Sequence, residues 1–227
     1  MKVLAIIQAR LGSTRFPNKV MQKLGNKTII QILIERLSKT KLIDKIVVAT
    51  TKSKNDNKLV NHIKSLKKEF FRGSENDLLD RYYKTAKIYK PNYVLRITAD
   101  CPFIDPQIVD KVISSHLKNK NTITSNISIP TFPDGLDVEI FDFQILKKAW
   151  SKAKNEFDRE HVTPYIKKNY KVNNLKNKKD YSNLRLTLDE PEDLEVLKSI
   201  YKYFNNRNNF LFKDIIKLYK KKPKIFK

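Results

Sequence analysis

Cysteine, glycine and long apolar runs are all scarce in this sequence of 227 residues. Its single cysteine, Cys101, excludes an internal disulfide and a multi-cysteine zinc site, so a reducing compartment is open to it. With only 4 glycines and 9 prolines beside 40% hydrophobic residues, the chain is not collagen-like, linker-like or largely disordered. No stretch approaches the roughly 20 apolar residues of a membrane span, and the apolar run at the amino terminus is too short for a signal peptide. We therefore expect a soluble, cytoplasmic protein, and its length predicts a single domain.

Acidic residues are few as well, because 24 Asp and Glu stand against 47 Lys and Arg, which gives a net charge of +23. Such a charge is typical of proteins whose lysines neutralise nucleic-acid phosphates. Here the lysines are scattered, and the sequence has no helix-turn-helix spacing, zinc finger or RNP-type aromatic strand. We expect no nucleic-acid partner and a preference for anionic ligands. A non-catalytic, basic nucleic-acid-binding protein is the alternative from a different class.

Strand and helix patterns alternate along the first half of the chain. Short apolar runs predict strands, and apolar residues at helical spacing predict helices between them. The strands are predicted at residues 2–8, 45–50, 70–72 and 93–97, and the helices at 29–37, 57–66, 76–89 and 106–118. This alternation predicts an α/β fold in which a mainly parallel sheet is flanked by helices.

The alternation is looser in the second half. Strands are predicted at 122–125, 137–141 and 185–188, and helices at 143–154, 159–168, from Pro191 to about 204, and from 210 onward. The polar stretch 169–183 is predicted to be a surface connection.

The loop after the first strand carries three cations, Arg10, Arg15 and Lys19, together with the hydroxyl of Ser13. In open α/β sheets, ligands bind at the carboxyl ends of the strands, where this loop begins. Cations that converge there with backbone N–H groups would neutralise and hold a triphosphate. The alternative is an exposed basic loop whose charges are solvated. We expect alanine at Arg15 or Lys19 to impair triphosphate use while leaving stability almost unchanged, because loop cations contribute little to folding.

Two aspartates, Asp100 and Asp189, each follow a predicted strand, and parallel strands place such ends at one edge of the sheet. A carboxylate among phosphates is repelled unless a cation lies between them, so Asp100 points to Mg²⁺. The structural alternatives are that Asp100 caps its own turn and that Asp189 caps the helix that opens at Pro191. We expect both carboxylates to lie within reach of one divalent ion.

Three motifs occur in a fixed order along the chain. The loop from Arg10 to Lys19 has the pattern R-x-x-S-x-R-x-P-x-K directly after an apolar strand. The others are R-I-T-A-D-C-P at 96–102, and D-G-L-D-V-E at 134–139 followed by R-E-H-V-T at 159–163. Together they resemble the sugar cytidylyltransferase family, above all its spore-coat polysaccharide synthesis branch, which is related to CMP-Kdo synthetase and acylneuraminate cytidylyltransferase. The resemblance runs from residue 2 to about 197, with Asn18 where the family usually has glycine and Glu190 where it usually has threonine.

The resemblance implies a Rossmann-like fold of the nucleotide-diphospho-sugar transferase type. Within one domain, 1–227, residues of about 1–120 would bind nucleotide, and residues of about 121–184 would bind the acceptor sugar and form a dimer. The implied catalytic residues are Arg10, Arg15 and Lys19, and the implied metal ligands are Asp100 and Asp189. The nucleotide would also contact Ala9, Ser13, Ser74 and Asp77, of which the last two also suit a helix cap. The acceptor sugar would contact Asp137, Glu139, Arg159 and His161.

The implied reaction is Mg²⁺-dependent transfer of the cytidylyl group of CTP to a sugar, an acidic one in our expectation. It would yield a CMP-sugar for surface polysaccharide or glycan synthesis and release pyrophosphate, with positioning and electrostatics supplying most of the rate. We also expect a homodimer that uses the apolar, proline-bearing segment 127–141. Three alternatives remain open, namely another nucleoside triphosphate, a sugar 1-phosphate acceptor, and a paralogue that binds nucleotide without turnover.

Overall fold

The computed structural model describes residues 2–226, which form a central sheet covered by helices. The strands are β1 (Val3–Gln8), β2 (Lys23–Leu24), β3 (Lys27–Thr28), β4 (Lys45–Thr51), β5 (Glu69–Gly73), β6 (Tyr93–Thr98), β7 (Ile123–Ser125), β8 (Glu139–Asp142) and β9 (Val172–Asn174). The α-helices are α1 (Ile29–Leu37), α2 (Asn57–Ser65), α3 (Leu78–Tyr89), α4 (Pro106–Lys118), α5 (Phe143–Lys152), α6 (Glu156–His161), α7 (Pro164–Asn169), α8 (Pro191–Tyr203) and α9 (Phe212–Lys221). Within these residues, no helix is both long enough and apolar enough to cross a membrane.

The strand order of the central sheet is β5-β4-β1-β6-β8-β7-β9. β1 pairs in parallel with β4 on one side and β6 on the other, and β5 continues this parallel half beyond β4. β8 runs antiparallel to both β6 and β7, and β9 is parallel to β7. The sheet is thus mainly parallel and flanked by helices, which confirms the predicted α/β, Rossmann-like fold.

Alternate residues of β1 pack into two hydrophobic clusters, one on each face of the sheet. Ala5 and Ile7 belong to the cluster that includes side chains of α1, α4 and α8. Leu4 and Ile6 belong to the cluster that includes side chains of α3 and α5. A strand covered on both faces is apolar at nearly every position, as β1 is from Val3 to Ile7. Because helices occupy both faces, the carboxyl ends of the parallel strands are the part of the sheet left open to a ligand.

The predicted helix 159–168 is wrong as one element, because it is split into α6 and α7. Between them Val162 adopts φ 70° and ψ −56°, and the Thr163 N–H donates to the His161 carbonyl at 2.8 Å. This is a γ-turn, a strained conformation for a β-branched residue. Pro164 then opens α7 at its first turn, where proline's missing N–H costs nothing.

Two further predictions in the carboxyl-terminal half are wrong. Residues 169–183 contain β9, a short edge strand that the sequence does not predict because it is mostly polar. Residues 185–188 form no strand among the described residues, where a single bridge joins Arg185 to Asp134. These residues nevertheless pack against the loop before β8 and the turn after β6, because the Leu186 N–H donates to the Asp134 carbonyl at 2.7 Å and the Leu188 N–H donates to the Asp100 carbonyl at 2.9 Å.

Candidate active site

A cleft of about 440 Å³ opens where β1 and β6 end. The loop after β1 and the turn after β6 form one wall, the turn between β5 and α3 forms another, and α6 lies at the rim. The lining residues are Gln8, Ala9, Arg10, Ser13, Thr14, Arg15, Lys19, Val20, Glu75, Asn76, Leu78, Arg81, Thr98, Ala99, Asp100, Glu156, Glu160 and His161. The predicted cationic loop and Asp100 therefore share one cavity.

The loop after β1 is held by hydrogen bonds that fix its two ends. The Leu11 N–H donates to the buried Asp56 carboxylate at 2.7 Å, and the Asn18 N–H donates to the Leu11 carbonyl at 3.0 Å. Asn18 has φ 59°, a left-handed conformation that asparagine tolerates better than most residues, which explains how it replaces the glycine of the family loop. Sequence reasoning missed Asp56, because an aspartate after a strand has no distinguishing pattern.

Lys19 joins the two predicted metal ligands. Its Nζ lies 2.6 Å from Asp100 Oδ2 and 2.7 Å from Asp189 Oδ1. Burial alone would lower the pKa of Lys19, but Asp100 and Asp189 outweigh burial and raise the pKa above its ordinary value. The structure therefore brings both aspartates to one point at the sheet edge and holds a cation between them.

Backbone contacts deliver Asp189 to this point. The Leu188 N–H donates to the Asp100 carbonyl at 2.9 Å, which lays the segment before α8 alongside the turn after β6. The α8 cap is made by Asp193, whose carboxylate accepts from the N–H groups of Asp189 and Glu190 at 2.8 and 2.9 Å. The Asp189 side chain is thus directed at Lys19 instead of capping the helix.

Gly135 allows the backbone of Leu186 and Thr187 to pass close to it, and an alanine at this position should displace that backbone. Gly135 has φ 102°, and a Cβ atom added to it would lie 2.5 Å from the carbonyl carbon of Leu186 and 2.7 Å from Thr187 N. We expect Gly135→Ala to lower the free energy of unfolding by about 2 kcal/mol through strain and backbone displacement, and to lower turnover by shifting Asp189. Gly12→Ala is the matched control for urea unfolding, since the nearest atom to its Cβ lies 3.7 Å away. Equal stability of the two variants would contradict this prediction.

Arg10, Ser13 and Arg15 lie along the same wall. Arg15 is exposed, with 58% of its side chain accessible, and its Nη2 lies 3.1 Å from Asp189 Oδ1. The Ser13 hydroxyl accepts from the Phe16 N–H at 3.4 Å, inside the loop. Arg10 is exposed and lines the cleft. Nucleotide contact by these residues and by Ala9 stays a prediction.

Ser74 and Asp77 make the local contacts of a helix cap. The Ser74 hydroxyl accepts from the Asp77 N–H at 3.1 Å, and Asp77 Oδ1 accepts from the Asp80 N–H at 2.8 Å. The other Asp77 oxygen accepts from Arg159 Nε at 2.7 Å. Arg159 also donates to the carbonyls of Trp150 and Ala153, so its guanidinium is occupied within the protein. The structure thus supports an internal role for Arg159, and sugar contact by it would require breaking these bonds.

Glu139 is buried in an ion cluster and does not line the cleft. At 1% side-chain exposure, it accepts from Arg96 Nη1 at 3.1 Å and Lys167 Nζ at 2.6 Å. It also accepts from the hydroxyls of Thr163 at 3.0 Å and Ser125 at 3.4 Å. This arrangement follows from the sheet register, in which Glu139 is directly opposite Arg96 on one side and Ser125 on the other. The structure therefore gives Glu139 a positioning role instead of the predicted sugar contact.

His161 is the predicted acceptor residue that lines the cleft. It is the last residue of α6, and its carbonyl closes the γ-turn at Val162. Because Thr163, the next residue but one, is bonded to Glu139, the buried ion cluster fixes the backbone that carries His161. Sugar contact by His161 stays a prediction.

Asp137 is a half-buried carboxyl group whose titration should affect stability. Burial, reinforced by the neighbouring charge of Asp134, raises the pKa of Asp137 to about 7. Since the folded state then binds this proton more tightly than the unfolded chain, the wild type should lose stability as pH rises from about 4 to 7. Asp137→Asn should therefore be more stable than the wild type at pH 8 by about 2 kcal/mol in metal-free buffer, with little gain at pH 4. Urea unfolding at both pH values tests this, and an equal difference at both would contradict it.

Comparison with known proteins matches this sequence and fold to one family. The family model described as cytidylyltransferase matches residues 4–225. An uncharacterized protein of Methanocaldococcus jannaschii is 42% identical over 231 residues, covering 99% of this chain and 93% of that protein. The spore coat polysaccharide biosynthesis protein SpsF of Bacillus subtilis is 32% identical over 231 residues, covering 97% of this chain and 95% of that protein.

Solved structures agree with the sequence comparison. A cytidylyltransferase from Leptospira borgpetersenii superposes with a TM-score of 0.95 at 39% identity, covering 100% of this chain and 97% of that one. CMP:2-keto-3-deoxy-manno-octonic acid synthetase complexed with CTP superposes with a TM-score of 0.71, covering 90% of this chain and 100% of that one. At its identity of 13%, the second likeness shows the fold alone.

Proposed function

We propose a defined reaction for this chain, which belongs to the cytidylyltransferase family and is an enzyme of CTP-dependent sugar cytidylyl transfer. A hydroxyl oxygen of the acceptor sugar attacks the α-phosphorus of CTP and releases its proton to water, and a sugar–phosphate bond forms. The bond from the α-phosphorus to the bridging oxygen breaks, and pyrophosphate leaves. The products are a CMP-sugar and pyrophosphate.

The observation that carries this proposal is the grouping of Lys19, Asp100 and Asp189 at the end of a cleft lined by Arg10 and Arg15. The three cations would neutralise the triphosphate and the negative charge that develops on the departing pyrophosphate. Charged donors already fixed in a cleft lower a barrier without reorganising during the reaction. A site of this geometry would act by positioning the substrates and by compensating the charge of the phosphates. The reaction does not require any of its side chains to form a covalent bond to substrate.

The carboxylates of Asp100 and Asp189 suit a divalent cation that arrives with the nucleotide. Each has one oxygen that Lys19 does not use, and Mg²⁺ is usually held by one or two carboxylates together with substrate phosphates. Residues 2–226 contain no cluster of three or more His, Cys, Asp or Glu side chains that could hold a metal, so phosphates and water would supply the other ligands. When bound, Mg²⁺ would screen the charge of the phosphates.

An acidic sugar is the acceptor class that we favour. It is supported by the named substrate of the related synthetase, 2-keto-3-deoxy-manno-octonic acid, and by the net charge of +23. Of the four predicted acceptor residues, only His161 is among those that line the cleft, and it is the one we assign to the acceptor sugar. The CMP-sugar would serve polysaccharide synthesis, as the name of the SpsF relative suggests. The single buried thiol of Cys101 suits a reducing compartment such as the cytoplasm.

Pyrophosphate release tests the proposed reaction. Four nucleoside triphosphates are offered with a panel of acidic sugars and sugar phosphates, with Mg²⁺ or with EDTA. We expect turnover with CTP and an acidic sugar, dependence on Mg²⁺, and loss of most turnover in Asp100→Asn with the fold retained. Glu195→Gln, an exposed acidic residue of α8, is the control that should keep full turnover. Turnover with a sugar 1-phosphate, or with another triphosphate in preference to CTP, would overturn the specific assignment.

A homodimer is the assembly that we expect, and sedimentation tests it. The structure buries Phe132, Leu136 and Val138 within the chain's own core, so the premise that segment 127–141 is hard to bury in one chain is wrong for these residues. Ile129 is 53% exposed and remains available for a contact. We expect an interface of at least about 1,000 Å², which Ile129→Asp should weaken. A wild type that sediments as a monomer at high micromolar concentration would contradict the dimer.

A further inference from the structure

The guanidinium of Arg36 on α1 is buried without a carboxylate partner. Arg36 is 1% exposed, and it forms no ion pair within residues 2–226. Its Nε donates to the Ile104 carbonyl at 2.7 Å, its Nη2 to the Phe103 carbonyl at 3.3 Å, and its Nη1 to Asn208 Oδ1 at 3.3 Å. The Phe210 ring covers the guanidinium, with its centroid 4.5 Å from Cζ. Every hydrogen bond that the structure gives Arg36 thus goes to an uncharged oxygen.

A buried arginine held in this way is a poor device for stability alone. Burial lowers the pKa of Arg36 to about 10, although the charge of Asp105 acts in the opposite direction. Arg36 is therefore still charged at neutral pH, and a buried charge without an ion pair carries a desolvation cost that an apolar side chain avoids. An apolar side chain, however, cannot hold two successive carbonyls in one orientation, as a planar fork of N–H donors does. The role of Arg36 is therefore to be found in the segment that it holds.

The two carbonyls belong to the turn between β6 and α4, which begins at Asp100. The Ile104 N–H closes this turn by donating to the Cys101 carbonyl at 3.2 Å. The Asp100 carbonyl accepts from the Leu188 N–H at 2.9 Å, so the segment that carries Asp189 rests on the same turn. A displacement of the turn would therefore move both carboxylates of the candidate site.

A second support reaches this turn from the chain between α8 and α9. The N–H of Phe212, the first residue of α9, donates to Asp105 Oδ2 at 2.5 Å, while the other Asp105 oxygen caps α4. Asn208, which accepts from Arg36, also donates to the Ile32 carbonyl on α1 at 3.1 Å. None of these residues lines the cleft. They can act on the site only through the turn and not by touching a ligand there.

We propose that Arg36 is a positioning residue for this site. By holding the Phe103 and Ile104 carbonyls, it sets the orientation of Asp100 and of the backbone contact that brings Asp189 beside it. The consequence for turnover rests on the proposed function, in which the two carboxylates take a divalent cation together with the nucleotide. Groups that orient metal ligands without binding the metal contribute about 10- to 100-fold to metal affinity or activity. Loss of the Arg36 donors should therefore weaken the response of the enzyme to Mg²⁺.

Two substitutions of Arg36 test this role in turnover. Arg36→Met keeps the length of the stem without the donors, and Arg36→Lys keeps the charge on a single nitrogen. Leu146→Ala is the control for lost stability alone, because Leu146 is buried in the hydrophobic cluster on the opposite face of the sheet. All are assayed at a temperature at which each variant is folded. In Arg36→Met, we expect kcat to fall by about 10- to 100-fold and the Mg²⁺ concentration for half-maximal turnover to rise by a similar factor. Arg36→Lys should lie between this variant and the wild type, and Leu146→Ala should match the wild type in both quantities.

Hydrogen exchange tests the structural step without any substrate. The Ile104 and Leu188 N–H groups report on the turn, and the Ile6 N–H of the central strand β1 reports on unfolding of the whole chain. In Arg36→Met, we expect the two turn amides to exchange about 10-fold faster relative to Ile6 than in the wild type. In Leu146→Ala this ratio should be unchanged. If Arg36→Met does not fold, Arg36→Lys carries the same two measurements.

The other outcomes distinguish this inference from the proposed function. If the Arg36 variants and Leu146→Ala lose turnover equally, Arg36 contributes stability alone and the inference fails. It fails as well if the exchange ratio stays at the wild-type value, or if the ratio changes while kcat and the Mg²⁺ response do not. A wild type without Mg²⁺-dependent turnover overturns the proposed function, and the exchange ratio then still decides whether Arg36 holds the turn.

Discussion

Alanine at Lys19 should lower kcat/KM for CTP by about 10²-fold or more, the scale of losing one well-placed electrostatic donor. It should also lower the melting temperature of the ligand-free protein by about 4–8 °C. The structural reason is that Lys19 separates Asp100 and Asp189, whose side chains are 20% and 19% exposed. Without the ammonium group, two half-buried carboxylates repel each other. The premise that Lys19 is a solvated loop cation is wrong, because it is an internal ion-pair partner, and we therefore expect Lys19→Ala to lose stability.

Arg15→Ala is the informative companion variant. Arg15 is mostly exposed, so its loss should change the melting temperature by less than about 1 °C while still impairing turnover with CTP. Added Mg²⁺ should restore much of the stability of Lys19→Ala, since a divalent cation can replace the ammonium between the carboxylates. Lys198→Ala, which removes a surface ion pair, should behave like the wild type in every assay. A Lys19→Ala protein with wild-type melting temperature and turnover would contradict both parts of this prediction.

Glu139→Gln is expected to be the most destabilising single substitution considered, at about 3–5 kcal/mol in urea unfolding. The amide keeps the size of the side chain but leaves Arg96 and Lys167 without their buried counter-charge. Burial alone would raise the pKa of Glu139, but Arg96 and Lys167 outweigh it and lower the pKa. The stabilisation is therefore present at neutral pH and is lost on acidification through this depressed pKa, so the gap between variant and wild type should close in strong acid.

A second substitution separates the loss of a counter-charge from general damage to the sheet. Glu139→Gln combined with Arg96→Met removes both the acid and its cross-strand cation, and should regain part of the lost stability. Glu195→Gln, which alters an exposed pair on α8, should have no effect. The double variant could instead have a lower free energy of unfolding than Glu139→Gln, by the full cost of losing a buried arginine. In that case, Glu139 does not stabilise the protein through its ion pair with Arg96.

Most of the parallel half of the fold was predictable, because its signals are local. α1 and α4 have the bounds that periodicity predicts, and Asp105 caps α4 just before Pro106. β9 was not predictable, because an edge strand of sequence Val-Asn-Asn pairs with β7 without an apolar signature. The break between α6 and α7 at Val162 was not predictable either, because a valine gives no sequence signal for a positive φ.

The residues of the candidate site also divide into those that could be predicted from the sequence and those that could not. Asp100 and Asp189 could be paired from the sequence because both follow predicted strands that would end at one edge. Residues 185–188 reach that edge without forming a strand. Glu139 could not be distinguished from Asp137 by spacing, because β8 begins only at Glu139 and the cross-strand partner Arg96 is known only from the register.

The hydrogen bond from the Leu188 N–H to the Asp100 carbonyl bears on the order in which the charged site is completed during synthesis on the ribosome. Every strand of the central sheet precedes Asp189 in the chain, so all of them are synthesised before this carboxylate partner of Lys19. Until Asp189 is added, Lys19 has one of its two carboxylate partners. Because Leu194 and Leu197 of α8 belong to the same hydrophobic cluster as β1, the segment that brings Asp189 to Lys19 also completes the core on that face of the sheet.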